Sequence, residues 1–309
     1  MLQVFGDEYT EYLTKNEYED LMVSVLGNYV GIGIYMAQTT DGNIIILFPI
    51  EGSPAEEAGL QSGDIIEKIN GEDCSDMTID KASNKIKGEE GTEVELEILR
   101  DEETIIKRVT RRKIEIKYID SSVINTNIGY IKLISFDQGS AEAFKEHLNA
   151  LKEKNIKSLI IDLRDNGGGI VEEAISIAEL FVPRGNIIMK SYDKDNKESV
   201  IKSSNVNPET MKIVVLINEN SASASEIFTA AIKDNNIGKI VGKTTFGKGV
   251  MQEVIGMKSG GALKITIEEF MTPNGDKINK EGIKPDIEID EDEYNEKDIQ
   301  LEEAIKLLK

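Results

Sequence analysis

Between residues 129 and 243 apolar runs alternate with amphipathic stretches, and this alternation limits the possible folds more than any other feature of the chain. The strand "GYIKLISF" leads to a helix over 140–153, the buried strand "KSLIIDLR", the loop "DNGGG" and the helix "IVEEAISIAELFV". A polar excursion around 190–210 follows. Then come the strand "KIVVLIN", the turn "ENSAS", the helix "ASEIFTAAIKD" and the strand "GKIVGK". Strands alternating with helices build βαβ units, so the expected class is α/β. Chemistry in such sheets collects at the C-terminal ends of the strands, where both "DNGGG" and "ENSAS" fall.

With 309 residues the chain exceeds one average domain and falls short of three, so two domains plus small extensions are expected. Residues 1–28 read as mostly helical, with Tyr18, Leu21, Met22 and Val25 at helical spacing and a stop at Gly27. Residues 29–112 read as a smaller, strand-rich unit, and 113–309 as the larger one. The net charge of −21 repels phosphate backbones and argues against nucleic acid as a partner. No apolar run is long enough to span a membrane. The opening "LQVFGDEYTEYL" lacks the pattern of a signal peptide, so either the protein stays inside the cell or a leader has been removed. A single cysteine, Cys74, and a single histidine, His147, exclude an internal disulfide and most zinc chemistry. His147 lies beside Ala143, Phe144 and Leu148 on an amphipathic helix, a surface or packing position with no triad partner nearby.

Within 29–112, "GIGI" at 31–34, the run "SPAEEAGLQSGDIIEKINGE" at 53–72 and the helix "TIDKASNKI" resemble a PDZ domain. The physical reading agrees. Gly31 and Gly33 let consecutive N–H groups face one concavity, which suits a peptide's terminal carboxylate. An apolar last residue would then sit near Ile32 and Ile34.

The stretch "VGKTTFGKGVMQ", residues 241–252, nearly spells a phosphate-binding loop. However, Gly249 stands where Ser or Thr should bind magnesium, and "VMQEVI" reads as strand instead of helix. A nucleotidase is therefore disfavoured. In "NENSASASEIF", Ser223 and Glu226 form a capping-box pattern, which by itself is structural. The sharper reading makes one serine a nucleophile at a strand–helix turn, with the following N–H free to hold an oxyanion. Physics alone leaves Ser221, Ser223 and Ser225 equivalent. With no usable histidine the base should be a lysine kept neutral by burial, and Lys248, between two glycines and near Phe246, Val250 and Met251, has the best setting.

"DLRDNGGG", "SASASEI", "TFGKGVMQ" and "TPNGDKINKEGIKPDIEI", in this order behind the PDZ-like unit, resemble the carboxy-terminal processing peptidases, serine proteases with a Ser–Lys dyad. The resemblance runs from about Asp7 to Ile289. It implies an α/β protease core of crotonase-like or ClpP-like build, Ser223 as nucleophile, Lys248 as base and Gln252 positioning the lysine. It also implies oxyanion donors at Gly168 and Ala224, Asp234 as a supporting acid, and no cofactor. Two departures stand out: Gly167 replaces the usual proline, and "GVMQ" the commoner "GSVQ". The expected substrates are proteins or peptides with free, apolar C-termini. A cell-envelope or secreted location is implied, with the cytoplasm left open. The amphipathic ends, 15–27 and 298–309, would close a homodimer or fold back on the core. The competing class is a PDZ scaffold whose protease-like domain is silent.

Overall fold

The computed structural model describes residues 7, 9–26, 28–39, 41–50, 52–115, 118–258, 260–290 and 297–309. Strand β1 (Glu11–Leu13) and helix α1 (Lys15–Leu26) come first. The helix is shorter than the sequence pattern suggests, because Glu11–Leu13 extend to pair with a strand some 250 residues later. Residues 1–6 of the expected helical segment lie outside the described residues.

Next come β2 (Asn28–Gly31), β3 (Ile34–Gln38), β4 (Ile44–Pro49), α2 (Pro54–Glu57), β5 (Ile65–Ile69), β6 (Glu72–Asp73), α3 (Ile79–Ile86), β7 (Glu93–Arg100), β8 (Glu103–Thr110) and β9 (Arg112–Glu115). Together they make a compact unit, residues 27–116. Its main sheet runs β3-β4-β5-β7-β8, and β2 pairs with β9. In β7 the alternation of "EVELEILR" buries Val94, Leu96 and Ile98, while the acids between them stay outside the core. Thr78 caps α3 by accepting from the Lys81 N–H, and Ala82 and Ile86 complete the core. Cys74 is buried in that core, which pushes its thiol up from the ordinary range.

The other unit comprises residues 1–26 and 117–309. Its remaining elements are β10 (Ile119–Ile124), β11 (Ile128–Leu133), α4 (Ser140–Glu153), β12 (Ser158–Asp162), α5 (Val171–Glu179), β13 (Ile187–Asp193), β14 (Glu198–Lys202), β15 (Lys212–Ile217), α6 (Ala224–Asp234), β16 (Gly238–Gly242), β17 (Val250–Gly256), β18 (Ala262–Met271), β19 (Ile287–Glu288) and α7 (Ile299–Leu307). One sheet has the order β10-β11-β12-β15-β16-β19, parallel from β11 onward. Its strands are apolar on both faces because both faces are covered. Leu159, Ile161, Ile213, Val215 and Ile217 point into one core with α4, α5 and α6, where Phe144, Phe181 and Phe228 meet edge to face. Ile160, Val214, Leu216 and Val241 face the opposite side against Ala304 and Leu308. The C-terminal amphipathic segment therefore folds back on the sheet. Arg164 fastens it there, gripping Asp298 at 2.8 and 2.9 Å while also pairing with the buried Asp162 at 2.6 Å. A second sheet, β1-β18-β13-β14 with β17 beside β18, completes the unit.

Candidate active site

Three loops leave the C-terminal ends of the adjacent parallel strands β12, β15 and β16, and they are tied to one another through their backbones. The Asn166 carbonyl accepts from the Ala222 N–H (3.0 Å) and the Ser225 hydroxyl (2.8 Å). The Ser221 hydroxyl donates to the Leu163 carbonyl (2.8 Å), and the Phe246 N–H to the Ser221 carbonyl (3.0 Å). Ser221 and Ser225 are thus fully buried and committed to loop carbonyls. Ser223, half-buried at the start of α6, is the serine held at φ 55°, ψ −114°. That backbone conformation costs a non-glycine residue on the order of 1–3 kcal/mol and persists only where the surroundings enforce it.

Glu226 does much of the enforcing. Its fully buried carboxylate accepts from the Ser223 N–H (2.8 Å), the Lys248 N–H (2.9 Å), the Gly247 N–H (2.7 Å) and the Thr245 hydroxyl (2.5 Å). One side chain therefore holds the backbones of the candidate nucleophile and the candidate base. Burial pushes its carboxyl up, against the pull of these four donors. The sequence shows Glu226 only as half of a capping box, since its other partners lie 19 to 22 positions away. The Glu226 N–H donates to the Ser223 backbone carbonyl (2.8 Å).

Lys248 emerges between Gly247 and Gly249. A Cβ on Gly249 would lie 2.3 Å from the Asn279 nitrogen, so the lysine loop packs backbone to backbone against 278–282. Burial depresses the Lys248 ammonium below the ordinary lysine range. The Lys264 charge pushes the same way, against smaller opposing effects of Glu11 and Glu226. Its Nζ lies 5.3 Å from the centre of the Tyr9 ring. Among the described residues no carboxylate pairs with it.

Gly168 touches the serine turn: a Cβ there would be 2.8 Å from the Ser223 Cβ and 2.9 Å from the Ala224 nitrogen. Its N–H is given to the Asn166 side-chain oxygen (2.9 Å), so an oxyanion would have to take it over. The Ala224 N–H, in the first turn of α6, has no acceptor among the described residues, as expected of a helix N-terminus. Gln252, just past a bulge in β17, donates to the Val250 carbonyl at 3.4 Å and makes no hydrogen bond with Lys248. Asp234 ends α6, about 15 Å along the helix from Ala224 at about 1.5 Å per residue, and accepts from the Asn274 N–H (2.9 Å). It braces the 272–275 turn and is not brought to the serine. His147 bonds Ser121 (2.7 Å), a packing contact on α4. Among the described residues no group of His, Cys, Asp or Glu side chains is arranged to hold a metal.

In the smaller unit, Gly33 has φ 77°, and a Cβ on it would fall 2.4 Å from the Ser53 Cβ. The Ser53 hydroxyl donates to the Gly33 carbonyl (3.1 Å) and the Ala55 N–H to the Ile32 carbonyl (2.8 Å). The Ile32 and Gly33 N–H groups have no acceptor among the described residues. Gly31 ends β2, opposite Arg112. The Ile32 side chain fills the core of the unit and is closed to a ligand here; Ile34, half-buried on the edge strand β3, is the more accessible isoleucine.

A family model for peptidase family S41 matches residues 127–289, and one for the PDZ domain matches 46–100. A "Probable CtpA-like serine protease" of Staphylococcus aureus is 36% identical over 297 residues, 95% of this chain and 59% of that protein. The protein of that name from Staphylococcus haemolyticus is 35% identical over 296 residues, with the same coverage. The chain therefore spans about three fifths of the length of these relatives. The solved photosystem II D1 C-terminal processing protease is 28% identical, with a TM-score of 0.60 over 94% of this chain and 80% of that one.

Proposed function

The chain belongs to peptidase family S41 and carries a PDZ domain, and from that premise we propose that it is a serine endopeptidase working through Ser223 and Lys248. The observation that carries the reading is the Glu226 carboxylate, which ties the backbone of the strained serine to that of a half-buried lysine with no acid partner among the described residues. The Ser223 hydroxyl attacks the peptide carbonyl as the neutral Lys248 amine takes its proton. The Ala224 N–H, joined by that of Gly168 once it leaves Asn166, stabilises the oxyanion. Lys248 then gives its proton to the leaving amine; water, deprotonated by the neutral Lys248 amine, attacks the acyl-enzyme, and the proton passes back to the Ser223 oxygen as the ester bond breaks. The family resemblance gives Gln252 the role of positioning Lys248 and Asp234 a supporting one, and Asp234 acts from a distance, bracing the 272–275 turn. The PDZ unit binds substrate C-termini, of apolar character, through the 31–34 loop with Gly31, Ile32, Gly33 and Ile34. Family resemblance implies work at the cell envelope or outside the cell; among the described residues no helix is long and apolar enough to cross a membrane.

The test is incubation with an unstructured polypeptide. The native chain should cut it, and Ser223→Ala should not, while folding and tail binding persist. Normal cutting by Ser223→Ala, with loss in Ser221→Ala or Ser225→Ala, would move the nucleophile. Lys248→Arg should also be inactive, since a guanidinium stays protonated.

A further inference from the structure

Asp7, Tyr9, Thr10 and strand β1 are fastened beside the candidate base. The Asp7 carboxylate accepts from the Tyr9 N–H (3.1 Å) and from the Thr10 hydroxyl, and the Thr10 oxygen accepts from the Thr266 N–H (3.3 Å). Thr266 lies opposite Gln252 in the β17–β18 ladder. From Glu11 the chain pairs with β18, and Glu11 bridges Lys264 at 2.9 Å. These anchors set the Tyr9 ring over the Lys248 amine, 5.3 Å from ring centre to Nζ.

We propose that Tyr9 is a positioning residue for Lys248, its ring roofing the amine against water. This rests on the reading of Lys248 as the general base. The charged groups around the amine are Lys264 on β18, Glu11 on β1 and Glu226 on α6, and they oppose one another. What remains to keep the amine neutral is exclusion of water, to which the ring contributes. The ring also has a contrary effect, because its π face attracts the protonated form. Removing the whole side chain and removing only the aromatic face should therefore act in opposite directions.

The experiment is a pH profile of kcat/KM for the native chain, Tyr9→Phe, Tyr9→Leu and Tyr9→Ala. It is paired with direct titration of Lys248 in the Ser223→Ala background, using carbon-13 dimethyl-lysine resonances assigned by their loss in Lys248→Arg. Tyr9→Ala should move both the rising limb and the Lys248 titration to higher pH. Activity at neutral pH should drop several-fold and return at alkaline pH. Tyr9→Phe should restore the native profile, and Tyr9→Leu, which keeps apolar cover without the π face, should not move it upward. A loss equal at every pH, or an unmoved Lys248 titration in Tyr9→Ala, overturns the proposal. If Tyr9→Ala does not fold, an upward titration shift in Tyr9→Leu overturns it as well. Activity in Lys248→Arg would instead overturn the dyad, and the titration reads Tyr9 independently of that outcome.

Discussion

Ser223 is separated from its neighbours by a torsion angle. All three serines of "SASAS" have the same chemistry, and only the fold buries two of them on loop carbonyls and leaves the third strained and half-open. Sequence reasoning from the residues reached the trio and stopped, because φ is set by contacts from elsewhere. The same limit hid Glu226 and Tyr9: a capping glutamate and a tyrosine early in the sequence look ordinary until residues 19 to 22, and then 239, positions away close on them (248 − 9 = 239). Lys248 was legible, because flanking glycines and apolar neighbours already predict a dehydrated amine. Glu226→Gln is the informative change. Its amide can turn one oxygen to two donors, and the NH2 then confronts N–H groups at the other side of the cradle. Each buried N–H left unmet costs about 1–3 kcal/mol. Thermal unfolding should show that loss, and kcat should fall much more than substrate affinity, as Ser223 and Lys248 lose their common anchor. Native kcat in a stable Glu226→Gln protein would reduce the glutamate to a simple cap.

The elements that the sequence announces most clearly are those with strong local periodicity: the expected helices over 140–153 and 224–234 coincide with α4 and α6. The polar excursion around 190–210 hides β13 and β14, since the exposed β14, "ESVIK", carries no alternation to read and exists by pairing with β13. The site depends on the order β12-β15-β16, which brings three loops together that lie up to about 85 residues apart (249 − 164 = 85). Close approach of these loops makes two adjacent glycines unequal. At Gly168, φ is 103° and a Cβ would meet the Ala222 oxygen at 2.7 Å, whereas at Gly167 it would meet nothing within 4 Å. Gly168→Ala should therefore displace the serine turn and cost on the order of 10²–10³ in kcat, the usual scale for a lost oxyanion donor. Gly167→Ala should remain near native. Steady-state kinetics of the two variants decide it, and equal kcat values would remove Gly168 from the mechanism.

Over the whole molecule, the proposed reading gives recognition and chemistry to different units, and each should be separable by experiment. In residues 27–116 the N–H groups of Ile32 and Gly33 have no acceptor among the described residues, at a loop whose shape requires Gly33 at positive φ. Unmet donors in a closely packed loop call for an anion, and the edge strand β3 offers the ladder on which an extended peptide could add. A free terminal carboxylate meets both requirements. A charge-assisted hydrogen bond contributes about 1.5–3 kcal/mol, so amidating the peptide terminus should weaken binding about ten- to a hundredfold. Gly33→Val should weaken it as well, because its Cβ would fall 2.4 Å from that of Ser53 and β-branching is strained at that φ. Since Gly33 belongs to a separate compact unit, a short peptide at high concentration should still be cut by Gly33→Val. The measurement is the affinity of one apolar-tailed peptide, as free acid and as amide, for the Ser223→Ala protein. Equal affinities would show that the loop does not read the terminus, and substrate choice would then have to lie around Ser223 itself.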